Sequence, residues 1–91
     1  MQKVQKNEEY VLTFSSFYKV MYAKDKIGEK GIFASIGRIP TELIYSCGQG
    51  LHIKPEELRQ VLSILLENNL ETRGIFKINY VNGEKTYQPI K

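Results

Sequence analysis

The chain of 91 residues has no tryptophan, one cysteine, one histidine and three prolines. A single cysteine excludes an internal disulfide. One cysteine and one histidine cannot supply the three or four Cys/His ligands of a zinc site. Neither G-x-G-x-x-G nor G-x-x-x-x-G-K-[ST] occurs, which removes the dinucleotide and P-loop phosphate cradles. No apolar run reaches the ~18–20 residues needed to span a bilayer. The first residues, Met1 to Asn7, are polar and lack the apolar stretch of a secretory signal. These absences predict a cytoplasmic protein with no membrane association. Charge of one sign is scarce too. Thirteen Lys and Arg stand against ten Asp and Glu, giving +3, with no run of five like charges. That excess is too mild to demand nucleic acid.

What is present suits one small globular domain. Six Tyr and four Phe supply the bulk that tryptophan would have given. A chain of this length buries roughly two thirds of the surface its unfolded form exposes, which supports one core and leaves little room for a deep catalytic cavity. Residues 1–8 read as a flexible lead-in and 9–91 as a single domain. The first strand is predicted over Glu9–Phe14, rich in β-branched and aromatic residues. Ser15-Ser16 offers a hydroxyl cap for a helix over 16–30. Phe17, Val20, Met21, Lys24 and Ile27 lie at helical spacing there, and Val20, Met21 and Ile27 are expected against the sheet. Gly31 stands where a left-handed residue ends a helix.

Ile32–Ile36 reads as a second strand, limited by Gly37 and Pro40. Leu51–Ile53 reads as a short third strand. Pro55 opens the second helix, with Glu56 and Glu57 near its positive end. Leu58, Val61, Leu62 and Leu65 give its i, i+3, i+4, i+7 stripe, and Asn68-Asn69 its stop. Gly74–Val81 reads as a fourth strand. Asn82-Gly83 then predicts a two-residue hairpin pairing Val81 with Glu84, Tyr80 with Lys85 and Ile78 with Tyr87. Phe76, Ile78, Tyr80 and Tyr87 would share a buried face, and Lys77, Asn79, Thr86 and Gln88 a wet one. The order is that of an α+β, ferredoxin-like βαββαβ two-layer sandwich with an added C-terminal hairpin strand.

The connection between the second and third strands, about eleven residues, is longer than such loops usually are. Thr41–Ile44 within it would make one helical turn. Ser46-Cys47-Gly48-Gln49-Gly50 follows and holds the only thiol. Gly48 and Gly50 shape the loop and leave room around a sulfur, which must be approached in line during exchange. An isolated thiol with pKa near 8.5 is only ~3% thiolate at neutral pH, so activation needs a nearby cation. Arg38 and His52 are the nearest basic residues, and either would stabilise the thiolate if it faced Cys47. The alternative is a buried thiol that only fills space. A lone histidine on a strand is ordinarily packed or solvated. Tyr10, Phe33 and Phe76 invite comparison with an RNA-stacking sheet, but the basic-Gly-aromatic run of that module is missing. Neither Glu56 with Glu57 nor any Ser-His-Asp set forms a catalytic group.

Several segments together resemble a known family: Glu9-Tyr10-Val11-Leu12-Thr13-Phe14-Ser15-Ser16, Gly31-Ile32, Pro40, Ser46-Cys47-Gly48 and Pro55-Glu56-Glu57-Leu58. They are similar to the putative selenium/sulfur carrier protein-like domain, a small bacterial family, over about residues 9–76. The resemblance implies a cysteine that carries sulfur or selenium as a persulfide or selenosulfide. By that likeness Cys47 matches the carrier cysteine and Gly48 its partner. Phe17-Tyr18-Lys19 stands where family members often have histidines. Gly37 replaces a second proline, and Gln49-Gly50 an apolar-Ala pair. The expectation is a non-enzymatic carrier needing no cofactor and no metal. Its partners would be a sulfur donor such as a cysteine desulfurase and an acceptor protein. The competing expectation is a small interaction module that uses the sheet edge or the hairpin, with a structural cysteine, and the uncovered edge also suggests a homodimer.

Overall fold

A computed structural model describes residues 9–40 and 48–90. The lead-in 1–8, the turn expected at Thr41–Ile44 and Cys47 itself lie outside the described residues. Strand β1 spans Glu9–Thr13, helix α1 Phe17–Gly28, β2 Ser35–Arg38 and β3 Gln49–Ile53. A 3-10 turn at Pro55–Glu57 leads into helix α2, Leu58–Glu67, followed by β4, Gly74–Val81, and β5, Glu84–Pro89. The described strands form one antiparallel sheet in the order β2-β3-β1-β4-β5. The protein is thus a mixed α+β structure with two helices on one face of a five-strand sheet. No helix of the described residues is long and apolar enough to cross a membrane.

Local chemistry explains both helix boundaries. The Ser16 hydroxyl accepts a hydrogen bond from Lys19 N–H at 3.3 Å. After α1, Gly31 takes φ 85°, its N–H reaches Gly28 C=O, and Ile32 N–H reaches Ile27 C=O. This paired closure is the Schellman motif. It also corrects the second strand. Ile32 is consumed as the buried residue that closes the helix, so pairing begins only at Ser35, and Phe33 is left exposed. Helix α2 stops in the same way. Asn69 takes φ 57°, with Asn69 N–H on Leu66 C=O and Leu70 N–H on Leu65 C=O.

The buried stripe of α1 is Val20, Ala23 and Ile27, not the expected Val20, Met21 and Ile27. Met21 is half exposed, as is Phe17. At 100° per residue Met21 lies well round the helix from the Val20–Ile27 line, whereas Ala23 falls beside it. On α2, Val61, Ile64 and Leu65 are buried, while Leu58 and Leu62 flank the core half-buried. These side chains meet Leu12, Phe14, Leu51, Ile53 and Ile75 to form the main core.

A second, smaller core occupies the opposite face of the sheet. Val11, Ile39, Phe76 and Ile78 are buried there, with Tyr87 packed against them. The apolar face of the C-terminal hairpin is therefore the one turned away from the helices, but Tyr80, expected to be buried on it, is exposed because it lies beyond Ile78, the last β4 residue paired with β1. Asn82 and Gly83 have φ 53° and 81°, and the pairing Val81–Glu84, Tyr80–Lys85 and Ile78–Tyr87 is as expected.

Both outer edges of the sheet are short of donors. Ile90 N–H bonds Ile75 C=O, so on β5 the even residues face β4 and Lys85, Tyr87 and Pro89 face outward. On the other side, Ile39 N–H bonds Gly48 C=O, so Ile36, Arg38 and Pro40 face outward. Each edge thus offers two outward N–H groups before a proline that has none.

Two outcomes follow from this packing. Leu65→Ala should cost about 2–5 kcal/mol by leaving a cavity, Leu62→Ala should cost less, and Met21→Ala should fall within about 0.5 kcal/mol of wild type; urea unfolding measures all three. Nothing lies within 4 Å of a Cβ built on Gly83. Gly83→Val should therefore destabilise through the backbone alone, by about 1–2 kcal/mol. Gly83→Asn should retain most of the stability, since asparagine tolerates positive φ. Equal losses for the two would refute a conformational cause.

Candidate functional site

The pleat of a strand sends alternate side chains to opposite faces, so register decides which site residues meet. Across the face away from the helices, one row runs Ser35, His52, Val11 and Phe76. The next row runs Gly37, Gly50, Thr13 and Gly74. Beyond it the chain leaves β2 at Ile39 and returns at Gly48. The Ile39 N–H to Gly48 C=O hydrogen bond, 3.0 Å, pins these two points together. Residues 40–47 connect them, and Cys47 is the last of these.

The second row is built of small residues because its neighbours lean over it. A Cβ on Gly50 would lie 2.5 Å from Val11 Cγ2 and 3.3 Å from Ile39 Cγ2. Gly50, expected to shape the loop, is instead inside β3, where its lack of a side chain admits Ile39 to the second core. Thr13 is fully buried in this row, and its hydroxyl donates to Gly74 C=O at 3.3 Å. Gly48 is the backbone-determined position. It is buried with φ 86°, a conformation that resists any side chain.

His52 lies on this face, mostly buried, with 12% of its side chain exposed. Its Nδ1 is 3.1 Å from Glu9 Oε1. Its Nε2 lies over Gly37, where a Cβ would approach to 2.8 Å. Arg38 has the opposite parity. It pairs with Gln49, sits on the helix side of the sheet at the exposed end of β2, and does not share a face with His52. The two candidate cations are therefore not brought together. Cys47 lies outside the described residues.

Sequence reasoning missed Glu9, Gly37 and Ile39. Glu9 and His52 are 43 residues apart, and nothing local in either strand advertises the pairing. Gly37 reads as a strand limit but in fact occupies β2. The aromatic residues compared with an RNA-stacking platform do not form one: Tyr10 and Phe76 have opposite parities in the sheet, and Phe33 precedes β2. Among the described residues no group of three His, Cys, Asp or Glu side chains is arranged to hold a metal ion.

No curated protein and no solved structure matches the chain. A family model described as "Putative Se/S carrier protein-like" matches residues 9–77, a span that takes in β1 to the first half of β4, the pinned connection and Cys47. The chain belongs to that family.

Proposed function

We propose that this protein is a non-enzymatic carrier of sulfur or selenium, with Cys47 as the atom-bearing residue. The observation that carries the reading is the pinned connection within the family-matched span. Ile39 and Gly48 are fixed to each other, and the glycine that follows Cys47 holds a left-handed turn. A carrier thiol must be approached in line, and a glycine as its chain neighbour adds no side chain to obstruct that approach. We read the surrounding sandwich as ferredoxin-like. A β-α-β unit split by β3, and β4 on the far side of β1, support that reading.

The chemistry is thiol exchange. The Cys47 thiolate attacks the terminal sulfur of a donor persulfide. The donor S–S bond breaks, the donor thiolate leaves, and Cys47 holds the persulfide. An acceptor thiolate then attacks that terminal sulfur and releases the Cys47 thiolate. Each step forms one S–S bond and breaks another, so no oxidant, reductant or cofactor enters. The donor would be a desulfurase-type enzyme that makes a persulfide, and the acceptor a protein with its own thiol. A selenium atom would follow the same path as a selenosulfide.

An interaction module that docks through the sheet edge or the hairpin is the competing reading. The outer edges weigh against it, because strand addition draws its affinity from main-chain hydrogen bonds. Two outward N–H groups followed by a proline make a poor template on either side.

Incubation with a cysteine desulfurase and cysteine should add one sulfur atom to the intact chain, seen by mass spectrometry and removed by reductant. Cys47→Ser should abolish the adduct while changing the unfolding midpoint little. A folded-state thiol reagent should label Cys47. A thiol that reacts only on unfolding and takes up no sulfur would end the carrier reading. In that case Cys47→Ser should destabilise by about 1–3 kcal/mol, the cost of a buried hydroxyl without a partner.

A further inference from the structure

We propose that the outer face of α1 is a two-fold dimer interface, in which two copies pack antiparallel and Phe17 of each enters the notch beside Gly28 of the other. The contact needs nothing from the β2–β3 connection and stands whether or not the protein carries sulfur. Four of the eight large apolar side chains exposed among the described residues lie on α1 or just after it: Phe17, Tyr18, Met21 and Phe33. The solvent face of a helix is ordinarily polar, and aromatic residues and methionine are what protein interfaces gather. The rings are ordered before any partner arrives. Tyr18 stacks on Tyr22 with centroids 6.5 Å apart, and Lys26 Nζ lies 5.4 Å from the centre of the Tyr22 ring. Side chains already held in place lose less freedom on binding.

The face carries both a knob and a hole. Nothing lies within 4 Å of a Cβ built on Gly28. The space beside it is a notch of about 390 Å³, lined by Lys24, Ile32, Phe33 and Ala34 among others. A cavity of about 150 Å³ already takes a benzene ring, so the notch admits a phenyl side chain. At 100° per residue, Phe17 and Gly28 lie on the same flank of the outer face, about 20° apart in projection. An antiparallel two-fold brings the same flank of both helices together in reversed order. An axis crossing the helix between Tyr22 and Ala23 sets Phe17 level with the partner's Gly28, each about 8 Å from it at 1.5 Å per residue. One operation then fills both notches.

The same operation matches the middle of the face. Tyr18, Asp25 and Glu29 lie along it. Reversal sets each Tyr18 level with the stretch between the partner's Asp25 and Glu29, whose carboxylates accept from its hydroxyl. A parallel pair would set Asp25 against Asp25 and leave both notches empty. Charge favours a second copy over a strongly acidic or basic partner. Lys19, Lys24 and Lys26 stand with Asp25 and Glu29 on α1 and its cap, so neither sign dominates. Antiparallel packing also opposes the two helix dipoles. A contact along one twelve-residue helix, about 18 Å long, buries less than the roughly 800 Å² per partner of a standard interface. Association is therefore reversible and rises with concentration.

Sedimentation equilibrium of the full chain measures this, with reductant present so that Cys47 forms no disulfide between chains. The mean mass should rise from monomer toward dimer as the chain approaches millimolar concentration. Phe17→Ala and Tyr18→Lys should each weaken the dimer about tenfold or more, as loss of a central anchor does. Gly28→Leu is the decisive variant. Leucine is the better helix former and its Cβ meets no neighbour, so the fold, checked by circular dichroism, should be kept. Its side chain fills the notch, so the dimer should again weaken about tenfold. A face that is merely sticky would associate more strongly with a leucine added. A stronger or unchanged dimer in Gly28→Leu would overturn the proposal. So would a chain that stays monomeric at millimolar concentration, including one whose α1 face takes a different protein instead.

Discussion

Burial of β1 on both faces is the constraint from which the rest of the structure follows. Leu12 and Phe14 pack toward the helices, Val11 packs the other way, and all three are fully buried. A central strand with only one covered face would leave Val11 in water, at a cost of about 1.5–3 kcal/mol for a side chain of that kind. The helices cannot reach it. Ile39, just beyond β2, and Phe76 and Ile78, from β4, cover it instead. The residue that leads the chain off β2 is therefore part of the core, and the Ile39–Gly48 hydrogen bond follows from that placement. Gly50 follows too, because any side chain there would collide with Val11 and Ile39. The feature that anchors the proposed carrier segment is thus a consequence of finishing the core.

Local determinants were legible and long-range ones were not. Asn82-Gly83 dictated turn, register and face of the hairpin because a two-residue loop leaves no freedom once both residues take positive φ. Ser16, Gly31 and Asn69 marked helix ends for the same reason, each acting within a turn of its own position. The alternation Phe76, Ile78, Tyr80 points to a buried face on β4, and Phe76 and Ile78 are buried while Tyr80 is exposed; a period of two says neither where the cover ends nor whether that face meets the helices. It does not. Met21 stands beside Val20 in the chain but about 100° round the helix from it, so the buried line passes through the smaller Ala23 instead.

The candidate site shows the same division. Gly48 stands next to the only cysteine in the sequence, and in the structure it takes a positive φ. Gly50 was chosen for loop flexibility, whereas its place in β3 makes its smallness a packing requirement. Glu9 could not be found at all from the sequence. Its relation to His52 exists only because β1 pairs β3 with Val11 opposite His52, which sets Glu9 two residues along the same face. Gly37 likewise acquires meaning only from the ring that lies over it.

Parity in the sheet separates two candidates that sequence distance had made equivalent. Arg38 and His52 are each within nine residues of Cys47 in the chain, and both stand on the strands that flank it. Yet the β2–β3 register sends them to opposite sides, with Arg38 at the exposed end of an edge strand and His52 enclosed by Val11, Gly37 and Glu9. A guanidinium in water is screened over about one Debye length, near 8 Å at physiological salt. The His52 imidazole is mostly buried and is held at Nδ1 by the 3.1 Å contact with Glu9 Oε1. Its neighbour Glu9 is half exposed, so the contact lies where the covered face of the sheet meets solvent.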